Sequence, residues 1–206
     1  MTIIKNARII TGDGRVIERG EVAFDDKIRY VGENYPGEAN EVIDASGYTV
    51  TPGLIDAHCH VGLFGDSTGF EGADANEDSD PIMPQLRAVD GINPQDRAFE
   101  DARRAGITTV VTGPGSANAV GGQFAAVKTY GVCVDDMLLK APCAMKMALG
   151  ENPKTVYNDK NQTPVTRMGT MALIRELLYK TINYRDALKK YENDSEENEK
   201  PDFDIK

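Results

Sequence analysis

Only two histidines occur in the 206 residues, and they stand two apart, in His58-Cys59-His60. On an extended strand, residues i and i+2 project from one face, about 6.5 Å apart along the chain. Two neutral imidazoles so placed can reach one divalent cation. A pair of hydrogen-bonded core histidines would show the same spacing, so context has to decide. That context is Leu54-Ile55-Asp56-Ala57-His58-Cys59-His60-Val61. Alternation puts Ile55, Ala57, Cys59 and Val61 on an apolar face, and Asp56, His58 and His60 on the other. Asp56 is a candidate to orient a ligand imidazole, or to serve as a structural hydrogen-bonding group. Cys59, on the apolar side, reads as packing.

The flanking elements must hold this face in place. Asn93 as N-cap, Pro94 at the first helical position and Asp96 in the first turn predict a helix. It runs through Phe99 and Ala102 to Ala105, and Gly106 stops it. Ile107-Thr108-Thr109-Val110-Val111-Thr112 then reads as a strand buried on both faces. Strand, loop, helix and strand make a βαβ unit, which implies a parallel sheet. In such sheets and in barrels, sites are built at C-terminal strand ends, where His58 and His60 lie.

Residues 1–50 are short β-favouring runs between turns at Gly12-Asp13-Gly14, Asp25-Asp26 and Pro36-Gly37. They predict an antiparallel all-β unit too small to stand alone. Further strands are expected at Val132-Cys133-Val134 and over residues 142–149. A long helix follows Thr163-Pro164, with Met168, Met171, Ile174, Leu178 and Ile182 as its core stripe. Residues 113–122 are glycine-rich but lack the Gly-Lys-Ser/Thr ending of a phosphate loop, so they read as a flexible loop near the site. Residues 65–81 carry Asp66, Glu71, Asp74, Glu77, Asp78 and Asp80 and no base. That is a solvated surface loop, or one that attracts a cationic substrate.

Composition removes several classes. Against 23 basic residues stand 33 acidic ones, a net charge of −10, which argues against nucleic-acid binding. Residues 192–206 alone hold seven acids and two bases and read as a mobile tail. No apolar run reaches the roughly 18 residues of a membrane span. The opening Met1-Thr2-Ile3-Ile4-Lys5-Asn6 alternates instead of building a signal-peptide core. Cys59, Cys133 and Cys143 have no Cys-x-x-Cys spacing, so a disulfide framework is not expected and a reducing cytoplasm is.

The run Thr51-Pro52-Gly53-Leu54-Ile55-Asp56-Ala57-His58-Cys59-His60 resembles the signature of the metal-dependent amidohydrolase superfamily. Asn76-Glu77, Asp80-Pro81, Gly106-Ile107-Thr108-Thr109-Val110, Pro114-Gly115-Ser116-Ala117-Asn118, Gly121-Gly122-Gln123 and Gly150-Glu151-Asn152-Pro153-Lys154 are similar to its imidazolonepropionase-like branch. The resemblance covers roughly residues 1–190. It implies an α/β fold: part of a small β-sandwich over residues 1–52, then the N-terminal part of a (β/α)8 TIM-like barrel over 53–190, then an acidic tail over 191–206. It also implies one or two divalent ions, zinc foremost, with His58 and His60 as ligands. Water activated by the metal would attack the C–N bond of a small amide, cyclic amide or dipeptide.

Members with two ions also use a lysine carboxylated by CO2 as a bridging ligand. Lys146, in Ala144-Met145-Lys146-Met147-Ala148, is the candidate, because burial on an apolar run favours the neutral amine that carboxylation requires. Lys140 is its rival, and an ordinary surface lysine is the alternative. A complete barrel takes about 250 residues, and the roughly 155 left after the sandwich suffice for about half of one. The family's later ligand histidines and its proton-shuttling aspartate are therefore expected beyond residue 206. Two expectations follow: a portion of a hydrolase, inactive alone, or a non-catalytic module that self-associates or pairs with a missing C-terminal half.

Overall fold

A computed structural model describes residues 1–65 and 68–202, so Asp66 of the acidic loop and residues 203–206 of the tail lie outside the described residues. The chain divides into two units, Met1–Gly53 and Leu54–Lys206. In the first, β1 (Thr2–Ile10), β2 (Val16–Phe24), β3 (Ile28–Gly32), β4 (Glu41–Asp44) and β5 (Thr49–Val50) form one sheet. Its order is β3-β2-β1-β4, with β5 also on β1. The tight turns make β1–β2 and β2–β3 antiparallel, but β4 and β5 run parallel to β1. The sheet is thus mixed, not antiparallel throughout, because residues 33–40 give the chain length to cross back. Ala7, Ile9, Val22 and Ala45 form its core.

The second unit holds β6 (Leu54–Cys59), β7 (Ile107–Thr112), β8 (Val120–Lys128) and β9 (Leu138–Met147), adjacent in that order. β6 and β7 are parallel, and α1 (Ala88–Gly91) and α2 (Arg97–Arg104) lie in the connection between them. α2 begins later than Asn93-Pro94 suggests. Its N-cap is Asp96, whose Oδ1 accepts from the Ala98 N–H at 2.9 Å and whose Oδ2 accepts from the Gly62 N–H at 3.0 Å. Asn93 instead accepts from the Gln95 N–H in the preceding turn. Gly106, at φ +86°, ends the helix as expected.

β8 replaces part of the expected flexible loop. Of residues 113–122 only Ser116 is more than minimally exposed, and the stretch runs directly into a strand paired antiparallel with β7 and β9. A parallel strand would need a crossover of about a dozen residues, and residues 113–119 are too few. Val132-Cys133-Val134 is not a strand either; it leads into α3 (Val134–Met137), directly before β9. Residues 82 and 87 add isolated bridges to Val120 and Gln123 of β8. The core of this unit gathers Leu63, Ile92, Phe99, Val110, Val127 and Met137.

α4 (Glu151–Asp159) and α5 (Arg167–Asn193) complete the described elements. Thr166 Oγ1 caps α5 by accepting from the Gly169 N–H at 3.0 Å. The expected core stripe is mostly not core. Ile174 is buried against Ala119 and Val120, whereas Met168 is 80% exposed and Met171, Leu178 and Ile182 are exposed too. Among the described residues, no helix is long and apolar enough to cross a membrane.

Fully buried Tyr157 of α4 donates to Asn118 Oδ1 at 2.7 Å, and Asn118 Nδ2 donates to the Glu77 carbonyl at 2.6 Å. One side-chain relay therefore ties α4, the glycine-rich stretch and the acidic loop together. Tyr157→Phe leaves the Asn118 acceptor buried and unpaired. It is expected to destabilise the fold by about 1–3 kcal/mol, read from denaturant unfolding.

Candidate functional site

β6 ends at Cys59, and His60 begins the loop that leaves it. The His58 and His60 ring centroids are 5.3 Å apart, with planes at 78°. His60 Nδ1 lies 2.7 Å from the carbonyl oxygen of Gly113, the residue that follows β7. A carbonyl only accepts, so Nδ1 carries a proton, and in the neutral imidazole the lone pair is then on Nε2. Neighbouring bonds fix this loop. Buried Thr112 donates its hydroxyl to the Val61 carbonyl at 2.7 Å, and Asp96 accepts from the Gly62 N–H. Gly62 itself is at φ +87°, and a Cβ there would meet Phe99 Cε2 at 2.9 Å.

The His58 ring stacks on Phe124, 5.5 Å between centroids at 30°. Lys146 Nζ lies 6.0 Å from the centroid of that same ring. Lys146 pairs across β8–β9 with Gly122, and a Cβ on Gly121 would come within 3.3 Å of Lys146 Cγ. Bare backbone thus leaves room for the lysine stem. Burial pushes the Lys146 amine below the usual lysine range. Lys140 stands opposite Ala126, towards the other end of β9, and is exposed.

Asp56 Oδ1 accepts from the backbone N–H of His58 at 3.1 Å, a bond to the main chain and not to a ring. Cys59 packs against the core, and burial raises its thiol above the usual range. Asp78 of the acidic loop pairs with Lys160 at 2.8 Å. Among the described residues, no group of three His, Cys, Asp or Glu side chains is placed to hold a metal ion.

Sequence reasoning missed Gly113 and Phe124. A Cβ on Gly113 would fall 2.6 Å from Phe124 Cδ1, so the aromatic ring sits directly on that backbone. The available signal was the glycine run itself, since glycine next to a strand often marks close approach of another group.

No family model matches the chain. The crystal structure of an amidohydrolase from Thermotoga maritima MSB8 aligns over 100% of this chain, with a TM-score of 0.91 and 40% identity. Amidohydrolase tasK of Hapsidospora irregularis is 33% identical over 202 residues, covering 82% of this chain. A 5-methylthioadenosine/S-adenosylhomocysteine deaminase from Pyrococcus furiosus is 50% identical over 62 residues, 30% of this chain and 15% of its own length. The homologues of this chain are amidohydrolases, and the chain matches the N-terminal part of these longer proteins. It spans 53% of the Thermotoga protein and 20% of tasK.

Asp96 links the start of α2 to the loop that follows His60. Asp96→Ala removes the cap and the Gly62 anchor together. The expected result is a loss of about 2 kcal/mol in urea unfolding, with faster amide exchange at Gly62 than at core β7 amides.

Proposed function

We propose that this chain carries the opening part of a metal-dependent hydrolase that cleaves C–N bonds of small amides, cyclic amides or dipeptides. The observation that carries the reading is the pair of adjacent imidazoles with the Nε2 lone pair of His60 held available by the Gly113 carbonyl. β6 to β9 would open a (β/α)8 barrel over residues 53–190, residues 1–52 would supply part of a sandwich, and residues 191–206 a solvated tail. Two nitrogen donors suit a borderline ion such as zinc, and further ligands would come from chain beyond these residues.

A divalent ion, when bound, acts as a Lewis acid that lowers the pKa of water toward neutrality and polarises an amide carbonyl. The protein's own part is positional. His60 presents Nε2 because its other nitrogen is committed to Gly113. His58 is set by stacking on Phe124, and Asp56 holds its main chain. Half-burial keeps Lys146 closer to the neutral amine, the form whose nitrogen adds to CO2 with release of a proton. The resulting carbamate would supply oxygen donors for a bridging role. Three free cysteines are compatible with a reducing, cytoplasmic setting.

Exposed apolar side chains favour a second property of the same chain. Leu54, Ile55, Met168 and Leu178 are all more than half exposed, a pattern that suits association with a further polypeptide or a second copy. Sedimentation of the purified chain as a monodisperse monomer would remove that reading.

His58→Ala and His60→Ala are each expected to abolish Zn2+ binding measured by calorimetry, while far-ultraviolet circular dichroism stays unchanged. Retained binding in both would overturn the metal reading. The 206-residue chain alone, supplied with zinc and bicarbonate, is expected to show no appreciable turnover of amide or dipeptide substrates. General acid–base assistance contributes about 10²–10⁴-fold, and its aspartate is expected in the later part of the family's chain.

A further inference from the structure

Phe124 is 4% exposed, yet it is not simply core. Its ring lies beside two of the groups that the proposed metal reading needs, and through its seat it reaches the third. The His58 imidazole stacks on it at 5.5 Å, and Lys146 Nζ lies 6.0 Å from its centroid. Beneath it is Gly113, where even a methyl group would lie 2.6 Å from Phe124 Cδ1. The carbonyl of that same Gly113 holds His60 Nδ1. Leu and Phe fill buried space almost equally well, but only the aromatic ring has a flat face. That face lets the His58 imidazole stack and stands as a flat wall beside the end of the Lys146 side chain.

We propose that Phe124, seated on Gly113, is a positioning residue that sets the orientation of His58 and the approach of Lys146, so that one ring aligns the groups meant for the metal. This rests on the metal reading above, but the placement of the ring is a separate claim and is separately measurable. The stacking partner restricts rotation of the His58 side chain, whose ring also meets the His60 ring at 78°. Groups that orient metal ligands typically matter about 10–100-fold in affinity when removed.

The test uses Phe124→Leu, with Phe124→Tyr as the variant that keeps the ring face. Val127→Ala is the control, because Val127 is fully buried on the same strand within the hydrophobic core. The first readout needs no metal. With two histidines in the chain, the imidazole C–H signals are assigned by single histidine replacements. The His58 ring signals are expected to carry an aromatic ring-current shift that is lost in Phe124→Leu, kept in Phe124→Tyr and unchanged in Val127→Ala. The second readout is Co2+ affinity from its visible absorption. It should fall roughly tenfold or more in Phe124→Leu and stay within about twofold in Val127→Ala, even if both variants melt earlier. His58 signals that do not move in Phe124→Leu, or Co2+ affinity that falls equally in Val127→Ala, would overturn the proposal. A wild-type chain that binds no Co2+ but shows the His58 shift overturns the metal reading and supports the placement of the ring.

Discussion

The bond from His60 Nδ1–H to the Gly113 carbonyl, 2.7 Å long, couples the tautomer of one imidazole to the register of two parallel strands. His60 follows β6 and Gly113 follows β7, and the strands meet with Cys59 opposite Thr112. A slip of one residue would move the acceptor by about 3.3 Å and turn the wrong face toward the ring. The register is in turn held by buried Val110 and Thr112, and by the Thr112 hydroxyl on the Val61 carbonyl. Core packing of β7 and chemistry at His60 are therefore one problem in geometry, and a change in either is felt in the other.

Absence of side chains does much of the remaining work. A Cβ on Gly115 would lie 2.7 Å from Asn76 Nδ2, and one on Gly122 would lie 2.7 Å from the Leu86 carbonyl. Gly122 also stands at φ +117°, which only glycine adopts readily. Each such position lets a neighbour come against bare backbone: Phe124 on Gly113, Asn76 on Gly115, the Lys146 stem on Gly121. Glycine costs conformational entropy on ordering, about 0.5–1 kcal/mol relative to alanine in regular structure. Here that cost is offset by burial and by bonds such as Gly115 N–H to the Ala75 carbonyl at 2.7 Å.

Much of this was legible because some signals are local. Alternation through β6 identifies the polar face of the strand, and Gly106 marks the end of α2, since both depend on nearest neighbours in sequence. Other features were hidden because a distant group decides them. Asn93-Pro94 has good helix-start chemistry, yet the Gly62 N–H and the Ala98 N–H together select Asp96. β8 was hidden because glycines carry no alternation to read, although they are what allows the strand to be buried. The period of Met168, Met171, Ile174, Leu178 and Ile182 correctly predicts a helix, but period reports which side is apolar and not whether anything covers it. His58 and Lys146 are each placed against Phe124, and no spacing rule joins three positions so far apart in sequence.

α5 has a further consequence, for how the molecule breathes. At 27 residues it is about 40 Å long. Its buried side chains, Thr170 and Ile174, both fall in the first turns, with Leu177 packing beside them. Opening the later turns exposes the half-buried Tyr184, Leu188 and Tyr191 but no fully buried side chain. The free energy of that opening then combines this modest apolar exposure with intrinsic helix propensity and pairs such as Glu176 with Lys180, each worth a few tenths of a kcal/mol. One continuous helix therefore spans two regimes of amide protection. Its first turns open only when the β8 packing opens, while its later turns fray independently of the sheet, at a small fraction of the global unfolding free energy.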